Sequence, residues 1–450
     1  MSKFDSMQKL VKSMNRKAEK NQKINYLGTF EETKATPDTR MLTGMLELDY
    51  LFGGGLMLGS VIEVTGQEGV GKSTILMRIL EKAGYIYDLV PYFNDVESTG
   101  RDEKFLSKFP LMKSHKMFKD SEGNIEDFFD KLNQLSNYVD IIIIDSVTKM
   151  SREGSEDLSK ADMGKTAGIW SRGWSRMGEL TRKGIRIFLV NELRDNLDPY
   201  APKSGEHTSG GRALKYAKTG QLVIKKDGGN SVSALKDKDE FGNEKVIGWK
   251  ILLKLNKNKQ GQFGKSITSF LWTDEDKEHK YDTYDDIKVM IGFALQYGII
   301  ENVKKTFNII NQETGEIVDS IVGKDALENF FRENPEKTIL LTIWCYKHML
   351  EDSFFYCLWD KILLIARANV IMGTLKQKLL DVGKLNFNLK IELENIKEYE
   401  NKLLEDLKEQ YSLDKFFDKD TLSKLQNIYG TPWTWGILND SGDEDEETEE

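Results

Sequence analysis

Cysteine is almost absent: the 450 residues include two, Cys345 and Cys357. Neither sits in a CxxC pair or a Cys/His cluster. That excludes a disulfide framework and a zinc site, and it points to reduced thiols in a cytoplasmic protein. Long apolar runs are missing as well. No stretch approaches the roughly 18 apolar residues of a membrane span, so no membrane partner is expected. The opening MSKFDSMQKLVKSMNRKAEK is charged throughout and lacks the apolar centre of a secretory leader. Proline is scarce, seven in all, as suits an α/β or helical protein. A surplus of basic charge is also lacking. The net charge is −9, which at first argues against nucleic acid. The imbalance is local, however: Asp440–Glu450 hold eight acids and no base, leaving the rest near −1. Bulk charge therefore does not choose the partner.

What the chain does have is alternation. Between about Met41 and Trp272, short apolar runs recur: VIEV (61–64), YFNDV (92–96), DIIIID (140–145), IRIFLV (185–190), GQLVIK (220–225) and WKILLKL (249–255). Helical segments separate them. Runs such as IIII read as strands buried on both faces of a mostly parallel sheet, so the expected fold is α/β. Two polar stretches, 151–165 and 194–212, follow the 140–145 and 185–190 strands, where open sheets place ligand loops. A third, 226–247, reads as a plain surface excursion. Near the N-terminus, Phe4, Met7, Leu10, Val11 and Met14 form one helical face. It docks either on its own body or on a neighbouring subunit, and the pattern leaves both open. After about Asp285 the pattern turns helical over 286–298 and 324–348, broken at Pro335, and again over 386–411. The terminal SGDEDEETEE is low-complexity and expected to be disordered.

Gly66, Gln67, Glu68, Gly69, Val70, Gly71, Lys72 and Ser73 fit the phosphate-loop pattern GxxxxGK(S/T), with a strand before it and a helix after it from Thr74. Glycines let backbone N–H groups wrap phosphates. Lys72 then neutralises the β- and γ-phosphates of ATP, and Ser73 ligates Mg²⁺. Asp145 closes an apolar strand and is expected beside this loop as a second Mg²⁺ contact. Glu97 ends another strand and is the candidate for orienting water on the γ-phosphate. Asp95 competes for that role; strand alternation is expected to turn it to the opposite face. Lys257 and Lys259 alternate with Asn256 and Asn258, so they share one face of a strand. Arg172 and Arg176 project together from a helix. For both pairs a solvated surface gives the same pattern.

Several longer segments resemble the RecA-type DNA recombinases, bacterial RecA and phage RecA-like strand-exchange proteins. They are MLTGMLELDYLFGGGLMLGSVIEVTGQEGVGKST, FNDVES, IIIIDSVTKM, DMGKTAGIWSRGWSRM, LVNELR, SGGRALKYA, KLNKNKQGQF and IVGKDALENFFRENPE. They are correctly ordered across roughly residues 1–347. The resemblance implies a RecA-like P-loop core at 31–280 with an N-terminal helix or oligomerisation arm at 1–30. It also implies a small α/β C-terminal domain at 281–348, leaving an extra helical region at 349–436 and the acidic tail at 437–450. Glu97 takes the place of the catalytic glutamate. Lys72, Ser73, Thr74 and Asp145 take nucleotide and metal positions. Lys257 and Lys259 match paired lysines acting across a subunit interface, and Lys215 and Tyr216 match interface residues. Trp272 matches an aromatic near the adenine. The 151–165 and 194–212 stretches resemble the two DNA loops. Met163, Gly164, Ser171, Arg172, Arg176, Arg194, Ser209, Gly210, Gly211 and Arg212 are the implied DNA contacts.

Three departures stand out. Glu192, after Asn191, occupies the place of the family's γ-phosphate-sensing glutamine. Neither loop is basic: 151–165 has three bases and four acids, and 194–212 has three of each. Residues 348–436 have no counterpart in the shorter bacterial proteins. The implied function is an ATP- and Mg²⁺-dependent, DNA-stimulated ATPase that forms helical homo-filaments on single-stranded DNA. It would then exchange strands with double-stranded DNA, with single-strand-binding or mediator proteins as candidate further partners. A hexameric RecA-fold helicase and a non-hydrolysing recombinase paralogue are the alternatives.

Overall fold

Four consecutive isoleucines, Ile141–Ile144, have no polar face to offer water, and the fold gives them none: each is fully buried. A computed structural model of the protein describes residues 40–97, 105, 108–109, 112, 117–151, 160–192, 211–238, 241–259, 261, 264–273, 284–382 and 412–429. The N-terminal segment 1–30, the helix expected over 386–411 and the acidic tail lie outside them, as do Arg194, Ser209 and Gly210. The described residues form two compact units: the first runs to Met290 and also takes in the residues from Thr374 to Val382, and the second holds Ile291–Gly373 and residues 412–429.

In the first unit, β1 (Arg40–Met41), α1 (Leu46–Phe52) and β2 (Leu56–Met57) precede the central strand β3 (Val61–Gly66) and the helix α2 (Lys72–Tyr87). Then come β4 (Pro91–Asp95), β5 (Phe118–Asp120), α3 (Ile125–Leu135), β6 (Ile141–Asp145), α4 (Lys160–Arg182) and β7 (Arg186–Glu192). The unit continues through α5 (Gly211–Ala217), β8 (Gly220–Lys226), α6 (Asn230–Ser233), β9 (Ala234–Lys238), β10 (Glu244–Asn258) and β11 (Ser266–Trp272). The sheet order is β11-β10-β8-β3-β7-β6-β4-β5, with β9 on β10. From β8 to β5 all pairings are parallel; β10 and its neighbours are antiparallel.

Alternation along each strand feeds two cores. Ile62, Val64, Ile141 and Ile143 pack with α1 and α2; Val61, Ile142, Ile144 and Leu189 pack with α3, α4 and Leu214 of α5. In the second core Gly173 of α4 meets α3 so closely that a Cβ would lie 1.9 Å from Phe129 Cε2. Trp170 and Trp174 stack on each other with ring centroids 5.0 Å apart, and the Phe129 ring stands nearly perpendicular to both at 5.8 and 6.2 Å.

Two expectations change here. The 226–247 stretch is a β9–β10 hairpin, Lys236 pairing with Val246, because long β10 runs past the sheet and offers β9 a partner edge. The 151–165 stretch is not loop throughout, since α4 already begins at Lys160.

In the second unit, α7 (Asp286–Gln296, begun in the first) leads into an antiparallel sheet of β12 (Ile300–Val303), β13 (Thr306–Ile310) and β14 (Ile317–Val322). Helices α8 (Lys324–Glu333) and α9 (Pro335–Met349) follow, separated at Pro335 as expected, because proline fits a first helical turn but not an interior. Next come α10 (Asp352–Cys357), α11 (Trp359–Val382, of which the residues from Thr374 on belong to the first unit) and α12 (Lys419–Tyr429). Phe416 lies 5.1 Å from both Trp344 and Trp359, and Phe417 lies 5.9 Å from Phe355. Residues beyond 348 therefore help to build this unit's core. Among the described residues no helix is long and apolar enough to cross a membrane.

Candidate functional site

Lys72, Glu97, Asp145 and Glu192 come together at the carboxyl ends of β3, β4, β6 and β7. The turn from β3 into α2 is shaped by its glycines. Gly69 and Gly71 have φ of 72° and 88°, where a side chain is strained. A Cβ on Gly66 would lie 2.5 Å from Ile224 O, and one on Gly71 would lie 2.7 Å from Leu271 Cδ2. Lys72, first in α2, folds back to donate to the carbonyls of Gly66 (3.1 Å) and Gln67 (2.8 Å). Its charge faces Glu192, Asp145, Glu97 and Glu68; burial nonetheless holds its pKa below that of an ordinary lysine. Glu192 is the in-register neighbour of Gly66.

Ser73 Oγ donates to Asp145 Oδ2 at 2.5 Å. Burial, aided by Glu97 and Asp95, pushes the Asp145 carboxyl up to about 6, against the pull of Ser73 and Lys72. A hydroxyl and a carboxylate are hard oxygen donors of the kind Mg²⁺ takes, so the pair fits that ion. The backbone cradle and Lys72 likewise fit a polyphosphate.

Glu97 is exposed, just past the end of β4. Its Oε1 accepts from Ser146 Oγ at 2.6 Å, and Ser146 Oγ lies 2.8 Å from Thr148 Oγ1. Since Ser146 has spent its only proton on Glu97, Thr148 must be the donor to Ser146. The backbone N–H groups of Val96 and Glu97 both donate to Asp145 O. Asp95 is fully buried and pairs with Lys119 at 3.4 Å. Alternation is not what separates it from Glu97, because residues two apart on a strand share a face. They part because β4 stops at Asp95 and the chain turns at Val96. Ser146 escaped the sequence reading, although its place directly after Asp145 was the available signal.

Lys257 and Lys259 are not gathered here. Lys257 is level with Glu63 across β8, three residues or roughly 10 Å back from Gly66 along the strands and two strands, roughly another 10 Å, across. The two ammonium groups donate to successive carbonyls of α5, Lys257 to Lys215 O (2.7 Å) and Lys259 to Tyr216 O (2.8 Å). Burial and the nearby Lys259 and Lys218 lower the Lys257 pKa to about 8. Tyr216 is 75% exposed.

Trp272 is buried, its Nε1–H donating to Asp285 Oδ2 at 3.1 Å; the isolated chain does not present this ring as an open stacking surface. On α4, Ser171 and Arg172 are exposed, whereas Arg176 is paired with Asp130 of α3 at 2.9 Å. As a phosphate contact Arg176 must first leave that surface pair. Met163 and Gly164 lie in α4, and Gly211 and Arg212 open α5.

A model of the RecA N-terminal domain matches residues 6–272. The chain is 24% identical over 286 residues to Protein RecA of Mycoplasma mycoides, covering 62% of this chain and 77% of that protein. It is 25% identical over 314 residues to Protein RecA of Malacoplasma penetrans, covering 68% and 87%. Against Protein RecA of a Nostoc species identity is 30% over 224 residues, covering 48% and 58%.

Proposed function

This chain belongs to the RecA family, and from that premise we propose that it is an ATP-dependent recombinase. It assembles as helical filaments on single-stranded DNA, pairs that strand with homologous duplex, and is released by DNA-stimulated hydrolysis. One observation carries the assembly reading: Lys257 and Lys259 face α5, on the sheet surface opposite α2 and well back from their own phosphate loop. Such cations serve a nucleotide only if a second copy brings its own loop to them.

In the proposed mechanism the 66–73 backbone and Lys72 hold the phosphates, while Ser73 and Asp145 hold Mg²⁺. When bound, that ion neutralises charge on the transferring phosphoryl group. Glu97 orients the attacking water, and Ser146 holds the glutamate oxygen that does not face it. Lys257 and Lys259 of the adjoining copy offset charge that develops in the transition state. Sequence is read by base pairing, so near-neutral DNA loops suffice if backbone N–H groups and a few arginines hold the phosphates. The protein acts in the cytoplasm.

Electron microscopy with ATP, Mg²⁺ and single-stranded DNA, run beside an ATPase assay, tests this reading. Helical filaments and DNA-stimulated turnover are expected. Closed rings would assign the same site to a hexameric motor, and DNA binding without turnover to an accessory paralogue.

A further inference from the structure

A carboxylate in the middle of an apolar strand needs a reason. Glu63 stands between Ile62 and Val64 in β3, the central strand, and is fully buried. Both its oxygens are engaged. Oε1 accepts from Asn191 Nδ2 at 2.9 Å, and Oε2 is paired with the ammonium of Lys218, a residue that is itself buried. An ion pair in such a place is a poor device for stability, because well-packed apolar residues do as well or better. Its distinctive property is registry: three segments must stand in one arrangement or a charge is stranded.

Those three segments each end at a position used in the proposed function. Three residues after Glu63, β3 reaches Gly66 and the phosphate loop. Asn191 directly precedes Glu192, the in-register neighbour of Gly66 and a charge facing Lys72. Lys218 directly follows α5, whose Lys215 and Tyr216 carbonyls hold Lys257 and Lys259. Lys218 and Glu63 are also among the charges that face Lys257, with Lys259 and Lys215. The bridge therefore touches the nucleotide end of the sheet through Asn191 and the interface end through Lys218.

We propose that Lys218, Glu63 and Asn191 form a buried positioning bridge that couples α5, at the exit of the 194–212 stretch, to the phosphate loop and Glu192, so that DNA engagement sets the rate of ATP turnover. The proposal rests on the recombinase reading above. None of the three residues touches nucleotide; they act through Glu192 and through the lysines held by α5.

The test uses the full-length chain with Lys218→Met, Glu63→Gln and the double variant Glu63→Gln/Lys218→Met. The double variant matters because it removes both charges and so strands neither. Thermal melting, affinity for a fluorescent ATP analogue, and ATPase kcat and KM are measured with and without single-stranded DNA. The double variant is expected to melt near wild type, to bind nucleotide within about threefold, and to keep its DNA-independent rate. Its DNA-stimulated kcat should fall at least tenfold with little change in KM for ATP. A folded double variant with wild-type stimulation by DNA would overturn the bridge and leave the recombinase reading intact. If the wild-type chain itself shows no DNA-stimulated turnover, that reading fails and the coupling fails with it.

Discussion

Asp145→Asn should make the metal-free protein more stable while abolishing tight binding of Mg²⁺-ATP. Asp145 is 2% exposed, and burial first, then Glu97 and Asp95, raise its pKa from 3.8 to about 6. A raised folded-state value means that the folded chain keeps a proton the unfolded chain has released. The stabilisation this gives is complete below pH 3.8 and lost as pH rises through about 6. Above that, the fold holds an ionised carboxylate with poor solvation, and the gap between the two values corresponds to about 3 kcal/mol. Asparagine carries no such charge, and its carbonyl can still accept the Ser73 hydroxyl. In EDTA at pH 7.5 the variant should exceed wild type by up to about 3 kcal/mol, with about half of that remaining at pH 5 and little at pH 4. Glu47 is raised to about 7 by burial and then by Asp286, but it titrates equally in both proteins and cancels from the difference. Urea unfolding of the two proteins, with the transitions compared at the three pH values, makes the measurement. A variant no more stable than wild type at pH 7.5, or a margin unchanged at pH 5, would refute the claim that burial strains this carboxylate.

Glu97→Gln should bind ATP and assemble normally but not turn over, as single-turnover kinetics beside filament imaging will report; loss of assembly as well would make Glu97 structural. Ser146→Ala removes a hydrogen bond to a charged acceptor and should lower kcat about 10- to 100-fold at unchanged nucleotide affinity. Lys257, with its pKa lowered to about 8, loses its charge as pH rises through that value, so kcat/KM should fall between pH 7.5 and 9. Lys257→Arg should move that fall to higher pH, and an unmoved profile would assign it to another group. Gly173→Ala forces a methyl into Phe129 and should destabilise the first unit by about 1–3 kcal/mol in the same unfolding assay.

Much of the site was readable because its signals are local. A strand, a glycine-rich octapeptide and a helix are contiguous, and β3, the turn and α2 fall where that spacing requires. The apolar runs marked six strands because a strand buried on both faces leaves no polar alternation. The contacts that were not readable are those between distant segments. Arg172 and Arg176 looked equivalent, yet Asp130 of α3 engages Arg176. Trp272 looked like an aromatic wall for a base, yet Asp285 takes its indole N–H. Nothing in the spacing of the residues after 348 marks their place, because Phe416 meets Trp344 and Trp359 from distant parts of the chain.

Residue type and spacing alone thus determined the α/β class and the strand, glycine-rich turn and helix at 61–87, and they singled out Asp145 and Glu97 as the acids expected beside that turn. These follow from bonding preferences that act over a few residues. Which acid holds which base was decided only by the tertiary structure. Glu63 meets Asn191 and Lys218, 128 and 155 residues away, solely because the crossovers set β7 and β8 on the two sides of β3. Likewise α5 lies on the face opposite α2, and the bulge in β10 between Leu255 and Lys257 takes Lys257 off the face that Ile251, Leu253 and Leu255 give to the α2 side and lets it reach α5. Sheet order is a property of the whole packed core, in which many apolar contacts are satisfied at once, and no single segment encodes it.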